Sequence, residues 1–163
     1  MSEKLPHYLW IIILAMLPVA ELRGAIPVAI GYNFTPAAAF ALAVLGNMLP
    51  IPFIFLFIRP LFRRLRRLSS LRGLIERVEA GARNKSARVA RYRFWGLALF
   101  VAIPLPGTGA WTGAMIASLL DMRFKHAMAA IFIGVLVAGL LLTVISTGLF
   151  AGVDLLKEFF LLK

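Results

Sequence analysis

Cysteine is absent from the 163 residues of this chain. That excludes disulfides, thiol catalysis and cysteine-held zinc or iron–sulfur centres. Histidine occurs only at His7 and His126, in different segments, so no histidine-based metal site and no cofactor are expected. Gly-x-Ser-x-Gly, His-Glu-x-x-His and a pair of membrane aspartates are all missing. Without a hydrolytic constellation the chain does not read as an enzyme. Acid is scarce as well: seven Asp and Glu face 18 Lys and Arg, a net charge of +11.

Apolar sequence fills the space. The chain is 61% hydrophobic with a mean hydropathy of +0.90, against roughly 45–50% apolar residues in an ordinary soluble domain. A single all-α integral membrane domain over residues 1–163 is predicted. Met1–His7 has one lysine and no small-residue cleavage site, so it does not read as a cleavable signal. The positive charge is concentrated. Residues 59–93 hold twelve Lys and Arg against Glu76 and Glu79, while the remainder holds six bases against five acids. A basic stretch between apolar ones is the signature of a cytoplasmic loop and needs no nucleic acid to explain it.

The stretch Pro18-Val-Ala-Glu-Leu-Arg-Gly-Ala-Ile-Pro27 lies inside an apolar run from Tyr8 to Tyr32. Ionisable residues at membrane depth are expensive and persist where they face protein or water and have work to do. Two prolines and Gly24 indicate a broken helix there. Broken helices in a bilayer are tolerated where the freed backbone is buried or lines a cavity.

Taken in order, Tyr8–Leu17 is too short to span, since a bilayer needs about 20 residues. Pro18–Gly24 is the first break and Ala25–Tyr32 a second half-length piece. At the next turn, Thr35 is an N-cap with Pro36 at the first helical position. Ala37–Ile58 is a span kinked near Gly46, Asn47, Pro50 and Pro52. Residues 59–93 read as a basic amphipathic helix on the cytoplasmic membrane surface, with apolar residues recurring every three or four positions; a solvated helix packed on its own protein is the alternative. Phe94–Ile103 is short and apolar, and Pro104–Gly113 is the second break. Ala114–Leu120 is again half length, Asp121–Lys125 a charged turn with Asp121 as a helix cap, and His126–Phe150 a full span. Asp154–Lys163 is an amphipathic tail.

The two halves, 8–58 and 94–150, follow one plan: short apolar piece, Pro/Gly break, short apolar piece, turn, span. A slide of 88 positions lays Pro18 on Pro106, Asn33 on Asp121 and Gly46 on Gly134. Interrupted short segments at matching places in two halves point to a transporter binding site. If both short pairs are hairpins, the turn with Arg123 and Lys125 joins the basic loop inside and Asn33–Pro36 falls outside, which satisfies the positive-inside rule throughout. The predicted fold is an inverted repeat of a re-entrant helical hairpin plus a transmembrane helix, with the cytoplasmic amphipathic helix between the repeats. The expected location is the cytoplasmic (inner) membrane, with several passes.

The candidate substrate or ion site follows from the two breaks. Arg23 would hold an anionic group, because a guanidinium fork suits phosphate or carboxylate. Desolvation favours a neutral Glu21 and a neighbouring arginine favours its carboxylate, so Glu21 could load and release a coupling ion. A structural ion pair is the alternative. Gly24 and Pro27 shape the first break. Pro104, Pro106, Gly107, Gly109 and Gly113 shape the second, where Thr108 and Thr112 offer hydroxyls, Trp111 a gate or interfacial anchor, and the following half-helix an N-terminus for an anion. Gly109 and Gly113 equally suit close helix packing. Asp121 and Arg123 are a possible gate. Asn47, Thr143, Ser146 and Thr147 are accounted for by interhelical hydrogen bonds.

Glu21-Leu-Arg-Gly-Ala-Ile-Pro27 followed by Pro104-Leu-Pro-Gly-Thr-Gly-Ala-Trp-Thr-Gly-Ala114 resembles the putative small multidrug export protein family, from Leu9 to about Gly148. More distantly the pattern is similar to the DedA/VTT superfamily. That resemblance implies opposed re-entrant hairpins and movement of lipids, polyprenyl-phosphate carriers among them, with proton or sodium coupling. It implies an acidic residue in the first hairpin, which Glu21 matches. It also implies a Pro-x-x-Arg motif in the second, whereas here no arginine stands between Ile103 and Asp121. The expected function is movement of an anionic amphiphile such as a lipid phosphate (a polyprenyl-phosphate or phospholipid) across the membrane, coupled to protons or sodium through Glu21. The expected partners are membrane lipids and further copies of the chain in a homo-oligomer. Proton-coupled export of cationic drugs and a non-transporting membrane organiser are the alternatives.

Overall fold

A computed structural model describes residues 5–65, 88–105 and 107–161. Among these, every regular element is an α-helix: α1 Leu5–Met16, α2 Glu21–Gly31, α3 Pro36–Met48, α4 Ile51–Leu65, α5 Arg88–Ala102, α6 Ala110–Leu119 and α7 Phe124–Leu161. Two stretches are long and apolar enough to cross a membrane. They are Pro36–Ile58, with mean hydropathy 2.2, and Phe124–Val153, with mean hydropathy 2.8. α1, α2 and α6, of 12, 11 and 10 residues, are about 15–18 Å long at 1.5 Å per residue, half a bilayer core.

The chain divides into two compact units, Met1–Leu49 with Val135–Lys163, and Pro50–Gly134. In the first, α1 and α2 pack against each other and both pack on α3. Leu22, Ala25, Ile26 and Ala29 form one buried stripe along α2, and Glu21 begins it. Gly46 lets α3 approach α1 so closely that a Cβ there would stand 2.7 Å from the Ile12 carbonyl oxygen. Gly139 of α7 lies against the Phe40 ring, and a Cβ on it would come within 2.8 Å. The two ends of the α1–α2 pair meet. His7 and Tyr32 stack edge-on with centroids 4.7 Å apart, and Tyr8 and Phe34 do so at 4.8 Å.

In the second unit α6 packs on α4 and α5, and the start of α7 packs on α5. Gly134 is pressed onto α5, where a Cβ would stand 2.6 Å from the Ala98 carbonyl oxygen. Phe55 of α4 meets Phe124 of α7 edge-on at 5.5 Å. Here the end of α6 meets the second turn of α5, where the Arg93 guanidinium donates to the Leu120 carbonyl across 3.1 Å.

The same turn is built twice. After α2, the amides of Tyr32, Asn33 and Phe34 bond the carbonyls of Val28, Ile30 and Ala29. After α6, the amides of Leu120, Asp121 and Met122 bond those of Ile116, Ser118 and Ala117. Each pair of counterparts is 88 positions apart. Both are Schellman motifs with a left-handed residue after the helix: Asn33 at φ 60 and Asp121 at φ 50.

Several boundaries differ from those read in the sequence. The first break is only Leu17–Ala20, and Glu21, Arg23, Gly24 and Pro27 lie within α2. Where lipid offers backbone groups no partner, an intrahelical bond outweighs the poor helix propensity of glycine and proline. Asp121 follows α6 at the left-handed position of its C-terminal turn, and α7 begins at Phe124. The expected tail is a continuation of α7, which runs unbroken for 38 residues. α5 begins at Arg88, earlier than the apolar run suggests. Thr35 is the N-cap of α3 as read, accepting from the Ala38 amide at 3.3 Å ahead of Pro36. The span from Ala37 is interrupted at Leu49–Pro50, where Pro50 and Pro52 bring no N–H. Most of the predicted amphipathic helix, 66–87, lies outside the described residues.

Candidate functional site

Glu21 is the most unusual residue of the first unit. It is 5% exposed and holds φ at 45°, a left-handed conformation that a bulky side chain adopts only when its surroundings impose it. The cause is local. The amide of Glu21 bonds the Leu17 carbonyl and that of Gly24 bonds Ala20, so the chain turns sharply over four residues and enters α2 through Glu21. The result sets a carboxyl group at the head of the buried stripe of a half-length helix. Acidic groups suit helix N-termini.

Arg23, two residues on, is half-buried. Pro27 removes the amide that would bond the Arg23 carbonyl in a regular helix. Gly24 is a packing residue, since a Cβ would meet Ala20 Cβ at 3.0 Å. Glu21, Arg23, Gly24 and Pro27 thus share one helix end in the first unit.

Asn47 of α3, in the same unit, was read as an interhelical hydrogen-bonding residue. It is 1% exposed, yet neither its Oδ1 nor its Nδ2 has a hydrogen-bond partner among the described residues. An unpaired buried polar group costs about 1–3 kcal/mol. A lone amide in an apolar span was the signal in the sequence, and its lack of a partner makes it a candidate that the sequence reading passed over.

The second break lies in the other unit. Pro104 and Leu105 leave the helix after α5. The Thr108 hydroxyl bonds the Ile103 and Leu105 carbonyls and accepts from the Leu105 amide, so it braces the loop. Gly107 sits at φ 86, where any other residue is strained. Gly109 is the N-cap of α6, with an extended backbone and no side-chain cap. The first amides of α6 therefore have no intrahelical acceptor. Trp111 and Thr112 are half-buried in its first turn. Gly113 packs on Val101, where a Cβ would meet Cγ2 at 2.6 Å, so the small-residue packing reading holds there. Pro106 lies outside the described residues. Asp121 and Arg123 are exposed in the turn between α6 and α7. Ser118 Oγ is buried without a partner among the described residues.

Among the described residues no group of three or more Asp, Glu or His is placed to hold a metal ion. No curated protein and no solved structure matches the chain. One family model does, over residues 21–141, a range that begins at Glu21 and takes in the second break. The chain belongs to the family described as "Putative small multi-drug export protein".

Proposed function

We propose that this protein is a small secondary transporter in which α1–α2 and α5–α6 are re-entrant hairpins, each followed by a spanning helix, as inverted repeats. The half-bilayer lengths of α1, α2 and α6, the closure of each pair near its turn and the turn repeated at 88 positions support that architecture. Both hairpins then return to the side they entered from, and the positive-inside rule puts the Asp121–Lys125 turn in the cytoplasm and the Asn33–Pro36 turn outside. The location is the cytoplasmic membrane.

The substrate is an anionic amphiphile such as a lipid phosphate, coupled to protons or sodium through Glu21. The observation that carries this is Glu21, buried and held in a left-handed conformation at the head of a half-length helix. Backbone strain of about 1–3 kcal/mol survives at functional sites where the surroundings over-determine it. Arg23 supplies the fork for the anion. The hydroxyls of Thr108 and Thr112, the α6 N-terminus, and Trp111 as a gate serve the second hairpin. Asp121 and Arg123 form the cytoplasmic gate. Asn47 is a polar step on the path through the first unit.

Export of cationic drugs is the second reading, favoured by the description of the family. Arg23 weighs against it, since a cation close to a guanidinium is repelled. Proteoliposomes separate the two. Wild type, Glu21→Gln and Arg23→Gln are offered a fluorescent polyprenyl-phosphate analogue and a lipophilic cation, with and without a proton gradient. The anionic reading requires gradient-dependent movement of the lipid, lost in both variants. Movement of the cation alone, improved by Arg23→Gln, overturns it in favour of drug export.

A further inference from the structure

Arg93 lines two cavities of the second unit. One, of about 390 Å³, has Arg93, Asp121, Arg123 and His126 on its wall, with Phe94 and Met122. The other, of about 410 Å³, runs along α5 and α6 and is otherwise walled by Tyr92, Gly96, Leu97, Phe100, Ile116 and Leu120. A charged pocket and an apolar groove that share one arginine have the polarity of an amphiphile.

The internal repeat shows what is particular about the charged pocket. In the first unit, His7 and Tyr8 begin the short pair, and Tyr32 and Phe34 end it. Their rings close on one another at 4.7 and 4.8 Å. The counterparts in the second unit are Arg93 and Phe94, 86 positions on, and Leu120 and Met122, 88 positions on. Arg93 stands where a ring stands in the first unit, and a pocket is left open.

The pocket's electrostatics ask for an anion. One Arg93 nitrogen donates to the Leu120 carbonyl, while its Nε is buried with no hydrogen-bond partner among the described residues. α7 starts against the usual charge preference. Arg123 precedes it, Lys125 and His126 lie in its first turn, and no acid does, although a helix N-terminus favours negative charge. On the wall two arginines, Arg93 and Arg123, face one carboxylate, Asp121. That complements the single charge of a phosphodiester better than the double charge of a phosphomonoester.

We infer that the two cavities form one binding site for an anionic glycerophospholipid, its phosphodiester on Arg93 and Arg123 and an acyl chain in the groove between α5 and α6. The site uses neither Glu21 nor Arg23, but it shares Arg123 and Asp121 with the proposed gate. On the positive-inside assignment it faces the cytoplasmic leaflet.

Native mass spectrometry of the delipidated full-length chain in mild detergent tests this. Phosphatidylglycerol and phosphatidylcholine are titrated in turn, and then phosphatidylglycerol against inorganic phosphate. The expected result is a single retained phosphatidylglycerol, preferred about five-fold or more over phosphatidylcholine, and not displaced by inorganic phosphate. Arg123→Gln is expected to remove the headgroup preference. Gly96→Leu is expected to weaken retention of both lipids, and it should fold normally because a Cβ at Gly96 meets nothing within 4 Å. Equal retention of the two lipids overturns the proposal, as does retention unchanged by Gly96→Leu. Displacement by phosphate alone would reduce the site to a free-anion pocket and also overturns it. A dimer that excludes lipid until Gly96→Leu breaks it would assign the groove to a second copy of the chain.

Discussion

Gly46 sits so close to α1 that a Cβ on it would stand 2.7 Å from the Ile12 carbonyl oxygen and 2.8 Å from Ala15 Cβ. Eighty-eight positions later, Gly134 holds the same relation to α5, at 2.6 Å from both the Ala98 carbonyl oxygen and Val101 Cβ. Backbone cannot yield as the end of a flexible side chain can. Gly46→Val and Gly134→Val should each therefore destabilise the folded protein by about 1–3 kcal/mol. Gly148→Ala, inside α7 where a Cβ meets nothing within 4 Å, should leave the melting temperature in detergent unchanged or raise it slightly. Equal melting of all three variants would contradict the close packing.

The left-handed backbone of Glu21 can be tested separately from its carboxyl group. Glu21→Ala and Glu21→Gly both remove the side chain, but only glycine is at ease at φ 45°. Glu21→Gly should be the more stable of the two by about 1 kcal/mol, in thermal melts followed by tryptophan fluorescence. Both should be inactive in transport. A Glu21→Gly variant less stable than Glu21→Ala would argue against a left-handed residue there.

Asn47 carries a prediction of opposite signs. Replacing a buried, unpaired amide with an apolar isostere relieves its desolvation, worth about 1–3 kcal/mol. Asn47→Leu should raise the melting temperature while lowering the transport rate. Lower stability in Asn47→Leu would mean that the amide is satisfied in the membrane and serves packing alone.

The repeated turn predicts a matched pair of tolerances. Glycine fits the left-handed position of a Schellman motif without strain, so Asn33→Gly and Asp121→Gly should melt at or above the wild-type temperature. Asn33→Val and Asp121→Val should each cost about 1–2 kcal/mol. A chain in which only one of the two sites discriminates glycine from valine would break the equivalence of the turns.

Much of this arrangement is readable from the residues. Hydropathy and the Pro/Gly clusters locate the short segments and breaks, because lipid forbids unpaired backbone and so leaves few uses for such clusters. The 88-position spacing seen in Asn33/Asp121 and Gly46/Gly134 is matched bond for bond in the turns. Thr35-Pro36 marks the start of α3 because the cap is local chemistry. What could not be read depends on tertiary surroundings. Gly24 and Pro27 look like helix breakers but sit inside α2, Gly24 against Ala20. The left-handed Glu21 has no sequence marker, since glycine or asparagine would be the usual residue there. Asn47 looks like one polar side chain among several until its partners are sought. Arg93 looks like the last residue of a basic loop, and only its bond to Leu120 shows it tying α5 to the end of α6.

The orientation of the two hairpins can be read directly, because the chain has no native cysteine. Single cysteines are placed at Ala37 and His126, both exposed at the starts of α3 and α7. Intact cells are treated with a membrane-impermeant maleimide before and after permeabilisation. Opposed hairpins predict that Ala37→Cys is labelled from outside in intact cells and that His126→Cys is labelled only after permeabilisation. Labelling of both from the same side would contradict the inverted repeat and the transport mechanism built on it.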